Sequence, residues 1–370
     1  MNKEVNQRVL SILRKYNDKE IQKQYITKQG AFSRLEAQKM TFQDMTMFML
    51  ANTGKSLSLE LFEYFNETNN IENTITKQAL SKQRKYIDSK IFQDMNIDYA
   101  KEIYKSRSEV FSGYTLIAID GFTAEIPNTK ELKKVFGEAK PSDDATSNAR
   151  IGIHGLYDAL NNIMIKLVVG RYHGGEKTAF LNNVEEVIKI LEDKKILFIF
   201  DRGYVSLELL LRLEELGVKY LFRVPEKAYK KEKEKIKTND ETIKLQITKV
   251  RLKNIESSKQ KKYLERKYKE ERFVQIALKT GEIEYLITNL STEEVPYERM
   301  KELYFKRWNI EKIFNILKNR LHIENIGSRS KNGIEQEIQS TVFLGNIIED
   351  MSIELNKKLK KKKQKNMSIE

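Results

Sequence analysis

Two short apolar runs constrain this chain more than any other feature. Residues 114–120 read YTLIAID and residues 195–201 read KILFIFD, each nearly continuous in apolar residues and each ending on an aspartate. Runs of this length, rich in β-branched and aromatic residues, predict strands buried on both faces, as in sheets covered by helices. The sequence between and after them agrees. Residues 150–159 and 162–172 predict two more strands, joined at Leu160-Asn161-Asn162. Residues 176–193 predict an amphipathic helix with Phe180, Leu181, Val184, Val187, Ile188 and Leu191 on its apolar side. A leucine-rich helix over 206–216 and a strand over 218–224 follow. Strand, strand pair, helix, strand, helix, strand describes an α/β domain with a mixed sheet.

The flanks have another texture. Residues 1–105 show helical periodicity and no convincing strand. A helix beginning at Leu57 gives way to a polar break over 66–73, and Thr76 then caps a second helix whose exposed side carries Lys77, Gln78, Ser81, Lys82, Arg84 and Lys85. Such a pair suits entry of the second helix into a DNA major groove, although a solvated basic face on an ordinary amphipathic helix gives the same pattern. Residues 226–275 are densely charged and interleaved with short alternating segments, which predicts a β-rich basic insertion. Strands over 273–278 and 284–289 return to a sheet, long helices run over 296–321 and 333–355, and the lysine-rich stretch 357–365 predicts a disordered tail. The expected division is a helical DNA-binding domain over 1–105, an α/β domain over 106–225 and 276–350, the insertion over 226–275, and a basic tail over 351–370.

Composition narrows the chemistry. The 370 residues include no cysteine and three histidines (His154, His173 and His322), so thiolate chemistry is excluded and a bound metal has to rest on carboxylates. His154 and His173 flank predicted strands and read as structural. Sixty-seven Lys and Arg against 53 Asp and Glu leave a net charge of +14, which points to a polyanionic partner, or to lysines that merely solubilise. No apolar run approaches the roughly 20 residues that span a bilayer, and the charged start of the chain is unlike a signal peptide. The expectation is a soluble cytoplasmic protein without a membrane partner.

Asp120 and Asp201 share a setting: each ends an apolar strand, with a glycine within two residues. Carboxylates at the strand ends of an α/β sheet lie where such sheets bind ligands. The helix over 302–321 adds a third acid. At about 100° per residue, Arg307, Glu311 and Lys318 fall within about 60° of Tyr304, beside a separate apolar stripe of Leu303, Ile310, Phe314, Leu317 and Leu321. Two aspartates and a glutamate are hard oxygen donors suited to two Mg²⁺ ions, or Mn²⁺ in their place. Such a pair activates a water or a 3′-hydroxyl for in-line attack on a phosphodiester, and Arg307 and Lys318 would clamp the phosphate.

Strand Asp, strand Asp and helix Glu in this order resemble the DDE transposases, which use a ribonuclease H-like fold. Tyr304, Arg307, Glu311 and Lys318 resemble the Tyr-Arg-Glu-Lys signature of their IS4-type members, and the surroundings IDGFTAEIP (119–127), DRGY (201–204) and RWNIE (307–311) are similar too. The resemblance covers roughly residues 76–350. It implies that Asp120, Asp201 and Glu311 are catalytic and ligate the metals. It implies further that Arg307 and Tyr304 hold phosphate near a flipped base and that Lys318 contacts the terminal backbone. Cut-and-paste transposition by a homodimer on paired inverted repeats and target DNA, in a bacterial nucleoid, also follows from it. Better-known members stack a tryptophan of the β-rich insertion on the flipped base. Here the sole tryptophan is Trp308, in the helix, so a Tyr or Phe takes that role or the role is absent. A nuclease of the same fold without strand transfer, and an inactive transposase retained for DNA binding, are the competing readings.

Overall fold

Nine strands form one mixed sheet in the computed structural model, which describes residues 3–33, 39–52, 54–68, 70–140, 147–253, 255, 257–278 and 281–367, without the side chains at 73 and 361–367. They are β1 (Thr115–Glu125), β2 (Glu138–Ala139), β3 (Asn148–Asp158), β4 (Ile163–Arg171), β5 (Ile196–Phe200), β6 (Lys219–Val224), β7 (Asp240–Gln246), β8 (Tyr268–Ala277) and β9 (Ile283–Thr288). Their order is β2-β3-β1-β5-β6-β9-β8-β7, with β4 also on β3. The antiparallel run β1-β3-β4 followed by β5 and β6 parallel to β1 is the ribonuclease H-like arrangement that the resemblance implies. The β3–β4 hairpin closes as its polar turn predicts. Asp158 accepts the N–H groups of Leu160 and Asn161, and Asn162 takes the positive φ that asparagine tolerates. Strands of the charged insertion extend this same sheet, since β6 pairs β9, β9 pairs β8 and β8 pairs β7.

Both faces of the sheet are covered, and the alternation of the central strands divides the core in two. Ile117 and Ile119 of β1 and Phe198 and Phe200 of β5 face one core. The N-terminal helices fill it together with Glu176–Leu181, Val184–Ile190 and Leu207–Glu215. Leu116, Ala118, Leu197 and Ile199 face the other, filled by Lys130–Phe136, Tyr297–Phe305 and Asn309–Asn319. Ile12, Phe48, Phe92 and Tyr99 of the N-terminal helices pack into the same cluster as the central strands. Helix Lys331–Met367 bridges the layers, with Ile334, Ile338 and Val342 in the second core and Phe343 in the first.

Several expected elements are corrected. The helix expected over 176–193 is two, Glu176–Leu181 and Val184–Ile190, broken at Asn182-Asn183, where asparagine side chains compete for the backbone. The helix expected over 296–321 is interrupted by a 3₁₀ turn at Lys306–Trp308. The tail expected to be disordered from 357 continues the helix to Met367, in keeping with the good helix propensity of lysine and the Glu354–Lys357 pair. No helix among the described residues is long and apolar enough to cross a membrane.

Candidate active site

β1 and β5 run parallel, and their register pairs Ile119 with Phe200. Asp120 and Asp201 come next on each, so they stand side by side where parallel pairing stops. Asp120 does not end its strand, contrary to the reading of residues 114–120; β1 continues to Glu125 against β3. What ends there is its fully buried half. Because side chains alternate along a strand, Asp120 is in phase with Leu116 and Ala118 and faces the core that holds helix Asn309–Asn319.

Across from it lies Arg307, buried within the 3₁₀ turn. Its Nη1 is 3.5 Å from Asp120 Oδ2, and its Nη2 is 3.3 Å from Glu311 Oε1. Burial lowers the pKa of this guanidinium, but Tyr304 and the carboxylates of Asp201, Asp120 and Glu311 outweigh burial and raise it. Two acids far apart in sequence, Asp120 and Glu311, thus meet at one buried cation, and the charge of Asp201 acts on it as well. The rings of Tyr304 and Trp308 lie 6.0 and 5.2 Å from it. Burial raises the pKa of Asp120, opposed by the Gly121 N–H (2.8 Å) and Arg307 and reinforced by Glu176 and Asp201. Tyr304 is held neutral, its pKa raised by burial. Its hydroxyl and the Arg307 Nε are buried without a hydrogen-bond partner, a cost that a folded chain rarely carries without use.

The single polar stripe of Tyr304, Arg307, Glu311 and Lys318 expected along one continuous helix is corrected as well. Because the 3₁₀ turn advances the chain differently from an α-turn, Tyr304 and Arg307 point inward while Glu311 is exposed. Lys318 lies 4.1 Å over the ring of Phe122 and 3.1 Å from Glu324, near the continuation of β1. Among the described residues no three His, Cys, Asp or Glu side chains are closed around a common point as if to hold an ion; the carboxylates surround the guanidinium instead. Their chemistry nonetheless fits a hard cation: all are oxygen donors, and Asp120 and Glu311 are partly open to solvent.

Of the basic residues expected on the N-terminal helix Lys77–Arg84, Lys77, Lys82 and Lys85 are exposed. Arg84 is not. Its Nε donates to Gln336 Oε1 (2.9 Å), Nη1 to Glu337 Oε1 (3.1 Å) and Nη2 to the Gly333 carbonyl (3.1 Å). It pins this helix to the start of Lys331–Met367, because position 84 meets that helix from a distant part of the chain. Lys77 and Lys85 line a cleft of about 660 Å³ with Ser328, Arg329 and Ser330. That cleft and the carboxylates share no residue.

Sequence reasoning missed three polar side chains near the aspartates. Glu176 opens helix Glu176–Leu181, Tyr204 is buried with Glu176 acting on its hydroxyl, and Glu284 on β9 pairs with Arg223 at 2.8 Å. Burial raises the Glu284 pKa, and the charges of Arg307 and Asp201 act on it. Tyr204 was visible only as part of the DRGY stretch; Glu176 and Glu284 had no signal beyond their place on a helix and a strand.

No curated protein matches the chain. Among solved structures, the piggyBac transposase in a synaptic complex with hairpin DNA is similar at 9% identity and a TM-score of 0.49, over 94% of this chain and 76% of that one. Residues 111–347, well over half the chain and the span that contains Asp120, Asp201 and Glu311, match the transposase DDE domain. The chain therefore belongs to the DDE transposase family.

Proposed function

We propose that this transposase cleaves phosphodiesters at the ends of a mobile DNA element and joins them to target DNA, with Asp120, Asp201 and Glu311 as its acidic triad. The observation that carries the reading is the meeting of Asp120 and Glu311 at the Arg307 guanidinium, on which the charge of Asp201 also acts. They would hold divalent cations, Mg²⁺ or Mn²⁺, which when bound supply an activated oxygen nucleophile and stabilise the leaving oxygen. Arg307 keeps its charge because Tyr304 and the surrounding carboxylates outweigh burial, and its aim because burial and two aromatic rings leave it little freedom. Its contacts of 3.3 and 3.5 Å are long for charged hydrogen bonds, so a phosphate oxygen can compete for its nitrogens. The neutral Tyr304 hydroxyl is a donor in search of an acceptor on the same substrate. Lys318, supported by the Phe122 ring, supplies a point charge to the flanking backbone. Together these residues form the Tyr-Arg-Glu-Lys signature of the subfamily.

The test is cleavage of a duplex carrying the element's own ends in Mg²⁺. Asp120→Asn, Asp201→Asn and Glu311→Gln each lower it by roughly 10³-fold, equivalent to the several kcal/mol a catalytic metal contributes, with end binding retained. Unimpaired cleavage by Glu311→Gln removes the triad from consideration. Joining of labelled ends to a target plasmid distinguishes a transposase from a nuclease of the same fold.

A further inference from the structure

The cleft beside helix Lys77–Arg84 lies apart from the carboxylates, and its charges are unbalanced. Its walls come from distant parts of the chain, that helix on one side and residues 325–330, beyond helix Asn309–Asn319, on the other. Glu337 is the one acid among the described residues that line it, and both its oxygens are engaged. Oε1 accepts from Arg84, and Oε2 accepts from the Gly327 and Ser328 N–H groups at 3.0 and 3.2 Å. Gly333 lets this segment close on the helix behind it, since a Cβ there would overlap the Ser328 hydroxyl. Among the cations, Arg84 is held by helix Lys331–Met367 and Lys55 by Glu63 at 2.8 Å. Lys77, Lys85 and Arg329 are exposed and form no ion pair with any described residue. Lys77, Ser81 and Lys85 recur every fourth residue and share one helix face. That face is about 12 Å long, a length over which one DNA strand carries roughly three phosphates. Lys85 also lines a neighbouring cleft with Lys28 and Lys82, which continues the positive surface around the helix.

We propose that this cleft holds one strand of a DNA duplex by its phosphates, with Lys77 and Lys85 on one wall and Arg329 on the other. Cations interleaved with hydroxyl and amide donors, here Ser81 and Gln78, position a backbone without reading its bases. The N-terminal helix and the segment beyond Glu311 thus grip the same strand. The inference rests on the DNA substrate proposed above and not on the carboxylates.

The test is a gel-shift titration of the full-length protein over a range of KCl, with a duplex carrying the element's own ends and an unrelated duplex of equal length. Arg329→Ala weakens binding to both duplexes by the same factor and flattens the salt slope by about one, and Arg329→Ala with Lys77→Ala flattens it by about two. Arg329→Lys restores the wild-type slope. Because Arg329 is exposed, thermal unfolding of its variants matches wild type. An Arg329→Ala slope equal to wild type overturns the site, and so does a loss confined to the end-bearing duplex, which would make Arg329 a reader of bases. Asp120→Asn keeps the wild-type slope, so failure of the triad and failure of this cleft are read separately. Wild type that binds neither duplex overturns the DNA substrate and this inference together.

Discussion

Two of the arginine–carboxylate clusters in this molecule are built to opposite ends. Asp350, fully buried, accepts from Arg8 at 3.0 and 3.1 Å, from Arg107 at 2.7 Å and from the Tyr99 hydroxyl at 2.8 Å, so both its oxygens are satisfied. It ties the first helix and helix Lys90–Ser106 to helix Lys331–Met367. Around Arg307 the proportions invert: the cation is buried, the side chains of Asp120 and Glu311 are 27% and 44% exposed, contacts are longer, and polar atoms are left unpartnered. The first cluster satisfies its carboxylate fully within the chain, leaving only Arg107 Nε without a partner. The second leaves its carboxylates open to solvent and both Tyr304 Oη and Arg307 Nε without a partner, and this openness supports the proposed reactive site.

The comparison can be broken by substitution. The largest expected effect is at Asp350→Ala, which strands two buried guanidinium groups and lowers stability by about 3–5 kcal/mol, read as a lower midpoint in urea. A loss below about 1 kcal/mol would show that the cluster does not hold the helices together. Removal of Arg84 follows: Arg84→Ala leaves Gln336 Oε1 and Glu337 Oε1 without their donor and costs about 1–3 kcal/mol, with little change in the salt dependence of DNA binding.

Asp120→Asn should move stability the other way. Burial raises the Asp120 pKa above that of an unfolded carboxylate, so the folded chain holds this proton more tightly than the unfolded one. The contribution favours folding at low pH and is lost as pH rises through the raised value. In a chelator, Asp120→Asn is therefore more stable than wild type at neutral pH, and the two converge in acid; urea midpoints across pH check the sign. The smallest effect belongs to the exposed lysines. Lys77→Ala with Lys82→Ala leaves stability unchanged and flattens the salt slope of end binding by about two. An unaltered slope in a gel-shift titration takes this helix off the DNA.

How much was legible follows from where each signal resides. The strands of 114–120 and 195–201, the β3–β4 hairpin and the Thr76 cap depend on neighbours within a few residues, and the structure places them within a residue or two, apart from the continuation of β1 beyond Asp120. Arg84 read as exposed because its partners lie near residue 336. The 3₁₀ turn at Lys306–Trp308 has no proline or glycine to announce it; burying Arg307 beside Asp120 requires it. Glu176 was legible as the start of a helix but not as a side chain lying against the backbone at Gly121.

Local apolar periodicity and strand length thus determined a mixed sheet with two aspartates at the end of its buried half, because burying those runs on both faces leaves a chain few alternatives. Which charges face each other was decided by the tertiary structure alone. Register, the choice of face and a single tightened turn bring side chains some 190 residues apart onto one guanidinium, and no local pattern encodes a contact of that range.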